Sequence, residues 1–320
     1  MKKTMSILAA LVSISILCGC VNIVTFDKEN ELNLIYVAPS TPQPPNGYPA
    51  IVLIHGFGGT KERLIDVAVS AAERGYFAIT VDWRDPDGAK LMWPAQLDDV
   101  KNAIAWLVKD PSHAANWELP NPYRIDPERI GAVGLSAGGI MALRLMDLDN
   151  PPVKAVVNFA GPTNMNNEYR YLAFHEKEDP SDPLPFSLSI NFEIIEFCEK
   201  LLGPYKMKDV NNDGKLDYDP NYFEESPINH INSNVSLLLM QGNVDNLVPL
   251  SQARNLYEMM RNQGGICDLI IFRNGHSFDP GLLTISCPIN EMDVNSGTEY
   301  TISTETTGQD IMFEFLQSKL

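Results

Sequence analysis

Positive charge is scarce in this chain: 24 lysines and arginines stand against 41 aspartates and glutamates, a formal charge of −17. No stripe of basic residues occurs anywhere, which argues against a nucleic acid partner, because phosphate backbones are bound by clustered cations. Cysteine is scarce too, at 5 in 320 residues, too few and too scattered for a thiolate metal cluster. Internal repeats and low-complexity tracts are missing, so solenoids and propellers are set aside. What remains is a chain with 44% hydrophobic residues, long enough for one large α/β domain or two small ones. The acidic surplus serves solubility.

Residues 1–19 read as a targeting segment. Lys2 and Lys3 form its positive end, and Ile7 to Leu17 is an apolar core too short to span a membrane as a mature helix. It closes on Leu17-Cys18-Gly19-Cys20, which resembles a bacterial lipobox, with Cys18 an unusual occupant of the second position. The resemblance implies cleavage before Cys20 and acylation of its sulfur; an ordinary secretory signal is the other reading. Acyl chains on Cys20 would hold a soluble domain at a membrane by lipid alone. Loss of the two lysines takes the mature charge from −17 to −19. Val21, where an acidic residue would mark inner-membrane retention, points to the outer membrane or cell surface. Export leaves Cys198, Cys267 and Cys287, an odd number in an oxidising compartment. Cys267 and Cys287 flank His276, and two arrangements stay open: one disulfide across that loop, or buried free thiols.

After a tether at residues 20–47, with a strand at Leu32 to Val37 and a proline-rich link, Ala50 to Ile54 is an uninterrupted apolar run. Such runs are strands buried on both faces. Lys61 to Arg74 predicts a helix, with Thr60 as N-cap and Gly75 as its stop. Strands follow at Tyr76 to Val81, Arg129 to Val133, Val153 to Phe159, Val235 to Met240 and Asp268 to Phe272. Helices are expected at Leu97 to Val108, Ala137 to Asp147, Gln252 to Arg261 and Asp310 to Leu316. This alternation predicts an α/β fold, a mostly parallel sheet with helices on both faces. Its core comprises residues 48–163 and 235–320. Residues 164–234 break the rhythm and are too rich in aromatics for a disordered excursion. They are expected to form an inserted cap, with a helix around Phe192 to Leu202.

Ser136 lies in Gly134-Leu135-Ser136-Ala137-Gly138, between a strand-like and a helix-like run. A serine on such a tight turn projects its hydroxyl above the sheet, facing the first helical N–H groups. Serine needs a base, and the base an orienting carboxylate. His276 and Asp245 each fall on a loop after a strand, in the chain order Ser136, Asp245, His276. His113, His175 and His230 follow no terminal strand and read as surface or cap residues. In His55-Gly56-Phe57-Gly58-Gly59, His55 is expected to brace the loop. Phe57 N–H and Ala137 N–H are the candidate oxyanion donors, with Gly58 as substitute for the first.

These motifs, with Asp126-Pro127-Glu128-Arg129-Ile130-Gly131, Gln241-Gly242-x-x-Asp245-x-x-Val248-Pro249 and Gly275-His276-Ser277-Phe278, resemble the α/β-hydrolase superfamily. Within it the chain is similar to bacterial esterases, lipases and dienelactone-hydrolase-like members. The resemblance covers about residues 48–165, 234–280 and the final helix. It implies the α/β-hydrolase fold, a serine triad, ester substrates (small-molecule or polymer) and no cofactor for catalysis. Gly-Phe-Gly in place of a triple glycine departs from the hormone-sensitive-lipase pattern. A prolyl-oligopeptidase-like peptidase and a non-catalytic binding lipoprotein on the same fold are the alternatives.

Asp209, Asn211, Asp213 and Asp217, with Gly214, look like the opening of an EF-hand or dockerin calcium loop. Pro220 departs from that pattern at the last ligand position. A structural calcium stapling the cap and a plain Asx-rich turn both remain open.

Overall fold

The computed structural model describes residues 21–84, 93–148, 150–165, 199, 202–203, 220–243, 245, 247–272, 275–276 and 307–320, plus the backbone of two strands at 289–292 and 299–302. The targeting segment with Cys20, most of the helix expected near Phe192 to Leu202, and the expected calcium loop with Asp209, Asn211, Asp213 and Asp217 lie outside the described residues.

Ten strands form one sheet in the order β1-β2-β4-β3-β5-β6-β7-β8-β9-β10. They are β1 Val21–Asp27, β2 Leu32–Val37, β3 Tyr48–Ile54, β4 Phe77–Val81, β5 Ile125–Leu135, β6 Ala155–Phe159, β7 Ser236–Gly242, β8 Cys267–Phe272, β9 Ile289–Met292 and β10 Glu299–Ile302. From β4 through β8 the neighbours are parallel. The pairs β1–β2, β2–β4, β8–β9 and β9–β10 are antiparallel. The helices are α1 Ile65–Glu73, α2 Ala95–Val108, α3 Ala137–Arg144, α4 Pro220–Glu225, α5 Leu250–Asn262 and α6 Gly308–Lys319. None is long and apolar enough to cross a membrane among the described residues.

The apolar run in β3 follows from its place at the centre. Ala50, Val52 and Ile54 face the core that α2, α3 and α5 cover, whereas Ile51 and Leu53 face the one under α1 and α6. All five are fully buried. Side chains alternate along a strand, so a strand covered on both faces has no polar position to spare. Each large aliphatic side chain so buried contributes about 1.5–3 kcal/mol.

Three expectations need correction. The helix expected over Lys61 to Arg74 is divided, with a 3-10 turn at Lys61–Leu64 preceding α1, and the Thr60 side chain makes no cap hydrogen bond. Lys61 is tied to the end of β4: its N–H donates to Asp82 Oδ1 at 3.1 Å and its carbonyl accepts from Thr80 Oγ1 at 2.7 Å. Those tethers tighten the first turn. Helix α3 stops at Arg144 rather than Asp147. Strands β9 and β10 extend the sheet by four residues each, too short for a period-two pattern to show.

Of the two cysteine arrangements, the structure has Cys267 as a buried free thiol. It opens β8, whereas His276 lies beyond the other end of that strand, so a bond there would not pin the histidine loop. Burial pushes the thiol well above the ordinary range. Cys198 and Cys287 lie outside the described residues.

Candidate active site

The carboxyl ends of the parallel strands are level. Leu135, Phe159, Met240 and Ile270 sit side by side across β5, β6, β7 and β8. Loops leaving these strands therefore leave from one edge, and Ser136, Asp245 and His276 follow β5, β7 and β8.

Ser136 has φ 53° and ψ −120°, a backbone conformation costing a residue with a Cβ about 1–3 kcal/mol. The surroundings hold it there. Its N–H donates to Phe159 O at 2.9 Å, and its carbonyl accepts from Gly139 N–H at 2.7 Å. A Cβ on Gly134 would lie 2.2 Å from Gly138 O, and one on Gly138 would lie 2.3 Å from Ile54 O and 2.6 Å from His55 O. The elbow is thus pressed against the end of β3 and the His55 loop. That contact sets the start of α3 beside the backbone of His55. Asn158, buried at the end of β6, reinforces the arrangement: its amide oxygen accepts from Gly161 N–H at 3.1 Å and its amide nitrogen donates to Gly161 O at 3.2 Å. No sequence motif pointed to Asn158.

His55 braces its loop, as expected. Its ring is buried, stacks on Trp83 with centroids 5.0 Å apart, and Nδ1 lies 2.8 Å from Gly56 O. Trp83 Nε1 donates to His55 O at 3.2 Å. Phe57 at the loop tip is 40% exposed. A cleft of about 40 Å³ lies between the His55–Gly59 loop, Leu135, Leu64 and Arg63.

His276 Nδ1 and Asp245 Oδ2 are 2.6 Å apart, and their side chains are 4% and 0% exposed. Asp245 is gripped from several directions. Oδ1 accepts from Leu247 N–H at 2.9 Å and Val248 N–H at 2.8 Å, and Oδ2 accepts from Gln241 Nε2 at 2.7 Å. Gln241 also donates to Val248 O at 2.8 Å. A buried carboxylate needs such donors, because water no longer solvates it. The Gln241-Gly242 motif was visible in the sequence, but the role of Gln241 as a clamp on Asp245 was not.

Two further clusters tie neighbouring elements together. Asp99 on α2 takes Arg84, just after β4, in a two-point contact at 2.7 and 3.0 Å. Burial pushes the Asp99 carboxyl above its usual range, against the pull of Arg84. At the end of α3, Arg144 donates to Glu225 Oε2 at 2.7 Å, and Trp93 Nε1 donates to the same oxygen at 2.6 Å. The far end of the segment expected to be a cap is therefore bolted to α3. Its near end is close by, since Met165 N–H donates to Ser226 Oγ at 3.0 Å. Of the competing histidines, His113 is on an exposed 3-10 turn and His230 faces Asp147 at 2.8 Å, while His175 lies outside the described residues. No group of three or more metal-binding side chains occurs among the described residues.

Known proteins agree with this architecture. The BD-FAE family model matches residues 35–184, and the serine hydrolase (FSH1) family model matches residues 126–280, a stretch from before Ser136 to beyond His276. Esterase LipC of Mycobacterium tuberculosis is 26% identical over 213 residues, which are 65% of this chain and 46% of LipC. LipM of the same organism, named a probable carboxylic ester hydrolase, is 24% identical over 59% of this chain and 38% of its own length. The chain thus spans less than half the length of either relative. Esterase 2 of Thermogutta terrifontis, in a structure phosphonylated by sarin, superposes with a TM-score of 0.58 at 20% identity, covering 93% of this chain and 91% of that one. The chain has the α/β-hydrolase fold.

Proposed function

We propose that this protein is an exported serine hydrolase cleaving carboxylic esters through an acyl-enzyme, with Ser136 as nucleophile, His276 as base and Asp245 as the group that orients the imidazole. The observation that carries this reading is the strained Ser136 backbone on its elbow, at the sheet edge from which the closed Asp245–His276 pair also projects. With Nδ1 held by Asp245, Nε2 is the nitrogen left to exchange a proton with Ser136.

Ser136 Oγ bonds to the ester carbonyl carbon while its proton passes to His276 Nε2. The carbonyl oxygen gathers negative charge against the N–H groups of Phe57 and Ala137, donors worth about 3–4 kcal/mol each in such a site. The C–O bond to the alcohol then breaks, and the leaving oxygen takes the proton from His276. Water attacks the acyl-enzyme with His276 again accepting a proton, and Ser136 is restored as the acid departs. No step calls for a cofactor. Esterases among the relatives and the sarin-modified Thermogutta enzyme support both the ester class and a phosphonate probe.

Residues 1–19 would be removed on export and Cys20 acylated, placing the domain at the cell envelope by a lipid anchor alone. Residues 164–234 would cap the site, stapled by calcium at Asp209, Asn211, Asp213 and Asp217. Calcium calorimetry tests that staple, and labelled palmitate on wild type against Cys20→Ser tests the anchor.

Ser136→Ala is expected to lower turnover of short p-nitrophenyl esters by at least about 10³-fold while circular dichroism and melting stay close to wild type. A fluorophosphonate should label Ser136 in the wild-type protein only. Unchanged turnover in the variant rejects the assignment.

A further inference from the structure

Arg63 stands on the 3-10 turn between the His55–Gly59 loop and α1, and its side chain is exposed at the rim of the cleft that also touches Phe57 and Leu135. Other cations around this edge are compensated. Lys61 lies 2.7 Å from Asp82 and 3.2 Å from Glu62, and Arg84 lies 2.7 Å from Asp99. Arg63 has no ion pair and no side-chain hydrogen bond among the described residues, although Asp66 follows one turn later on α1. In a chain with so large an acidic surplus, a guanidinium with no acidic partner among the described residues, beside the proposed oxyanion loop, is open to an anion from outside.

The cleft tells which anion fits. Its volume of about 40 Å³ holds about three waters, the room that a carboxylate group takes. Leu64 and Leu135 give it apolar walls, and the partly exposed Phe57 also lines it. A guanidinium fork meets a carboxylate with two parallel hydrogen bonds. We infer that Arg63 forms a subsite for a carboxylate carried on the acyl part of the substrate, a few bonds from the scissile carbonyl, so that the preferred esters are half-esters of short dicarboxylic acids. This rests on the hydrolase reading, since the acyl group is placed by the same loop that is proposed to hold the oxyanion. The electrostatics are local: the net charge of the chain repels an anionic ester, and Arg63 would have to overcome that repulsion at close range.

The test compares two esters of equal chain length, mono-p-nitrophenyl glutarate and p-nitrophenyl valerate, on the full chain. Wild type should favour the glutarate ester in kcat/KM, and the ratio of the two values should fall about tenfold in Arg63→Gln. Arg63→Lys should recover part of that ratio, and 0.5 M salt should erode it in wild type, because an exposed pair is screened. A ratio unmoved by Arg63→Gln, or no glutarate preference in wild type, overturns the subsite. Calorimetry with monomethyl glutarate on Ser136→Ala, with and without Arg63→Gln, measures binding free of turnover. Equal binding to the two proteins, or none to either, defeats Arg63 by itself. Loss of all hydrolysis together with loss of fluorophosphonate labelling at Ser136, but with Arg63-dependent binding retained, defeats the hydrolase reading and keeps the subsite.

Discussion

Ser136 is held by backbone surfaces in contact, whereas Asp245 and His276 are held by hydrogen bonds between side chains and loops. On the serine side, Gly138 meets the carbonyls of Ile54 and His55 so closely that even a methyl group has no room. On the acid side, Asp245 collects N–H groups from Leu247, Val248 and Gln241 before it meets His276. The difference fits the tasks proposed for the two sides. A nucleophile facing an oxyanion site must sit at a fixed place relative to two N–H groups, and packed backbone gives that fixity at no cost in side-chain freedom. A base must turn between accepting and donating a proton, so its orientation is better set by a directional bond.

The largest effect should come from the hydrogen-bonded side. Asp245→Asn keeps the shape but offers His276 Nδ1 an amide in place of a carboxylate, which disfavours the tautomer with its proton on Nδ1. Turnover of a p-nitrophenyl ester should fall about 10⁴-fold; a loss below tenfold would show that the pair does not orient the base.

Next comes the packed side, where the damage is to stability. Gly138→Ala should cost about 3 kcal/mol or more in urea unfolding, because the atoms it strikes are backbone carbonyls that cannot swing away. Gly58→Ala is the counterpart with open space. A Cβ there meets nothing within 4 Å, and only φ +66° opposes it, at about 1–2 kcal/mol. Equal costs at the two positions would break the distinction between crowding and conformational strain.

The smallest effect lies away from both. The Thr307 side chain accepts from Asp310 N–H at 3.1 Å, and Asp310 reaches back to Thr307 N–H at 3.2 Å, closing a capping box on α6. Thr307→Ala should cost about 1 kcal/mol and leave ester turnover alone. The hydrogen bond from the Thr307 side chain, against a smaller opposing effect of burial, holds the Asp310 carboxyl below its usual range. Its folded value therefore lies under its unfolded one. The contribution is complete above an unfolded pKa of about 3.9 and is lost as pH falls through the lower folded value. The variant should show a weaker acid-range dependence in thermal melts, because the Thr307 N–H and Arg74 still favour the carboxylate.

Ile51 to Ile54, Val156 and Val157 were legible as strands because burial on both faces leaves an unbroken apolar run. Ser136, Asp245 and His276 were legible as candidates because each stands in a short motif next to such a run. Asn158 and Gln241 carry no comparable mark. Their roles depend on Gly161 and Asp245 reaching them through folded loops, and an amide in a strand looks the same whether it clamps a neighbour or not. Arg144 meets Glu225 across 81 positions of chain, a distance at which sequence spacing carries no information. The first turn of the helix at Lys61 departs from its local pattern for the same reason: its propensity is helical, but its backbone is committed to Thr80 and Asp82.

Local patterning alone determined the class of fold, the edge of the sheet where chemistry would gather, and the identities of the three candidate residues, because periodicity and glycine spacing are properties of neighbouring positions. Tertiary structure alone decided that His276 pairs with Asp245, that Cys267 stays a free thiol, and that Arg63 stands at the cleft with no ion pair among the described residues. Those facts depend on which distant side chains come within hydrogen-bonding reach, and that is set by strand order and loop packing.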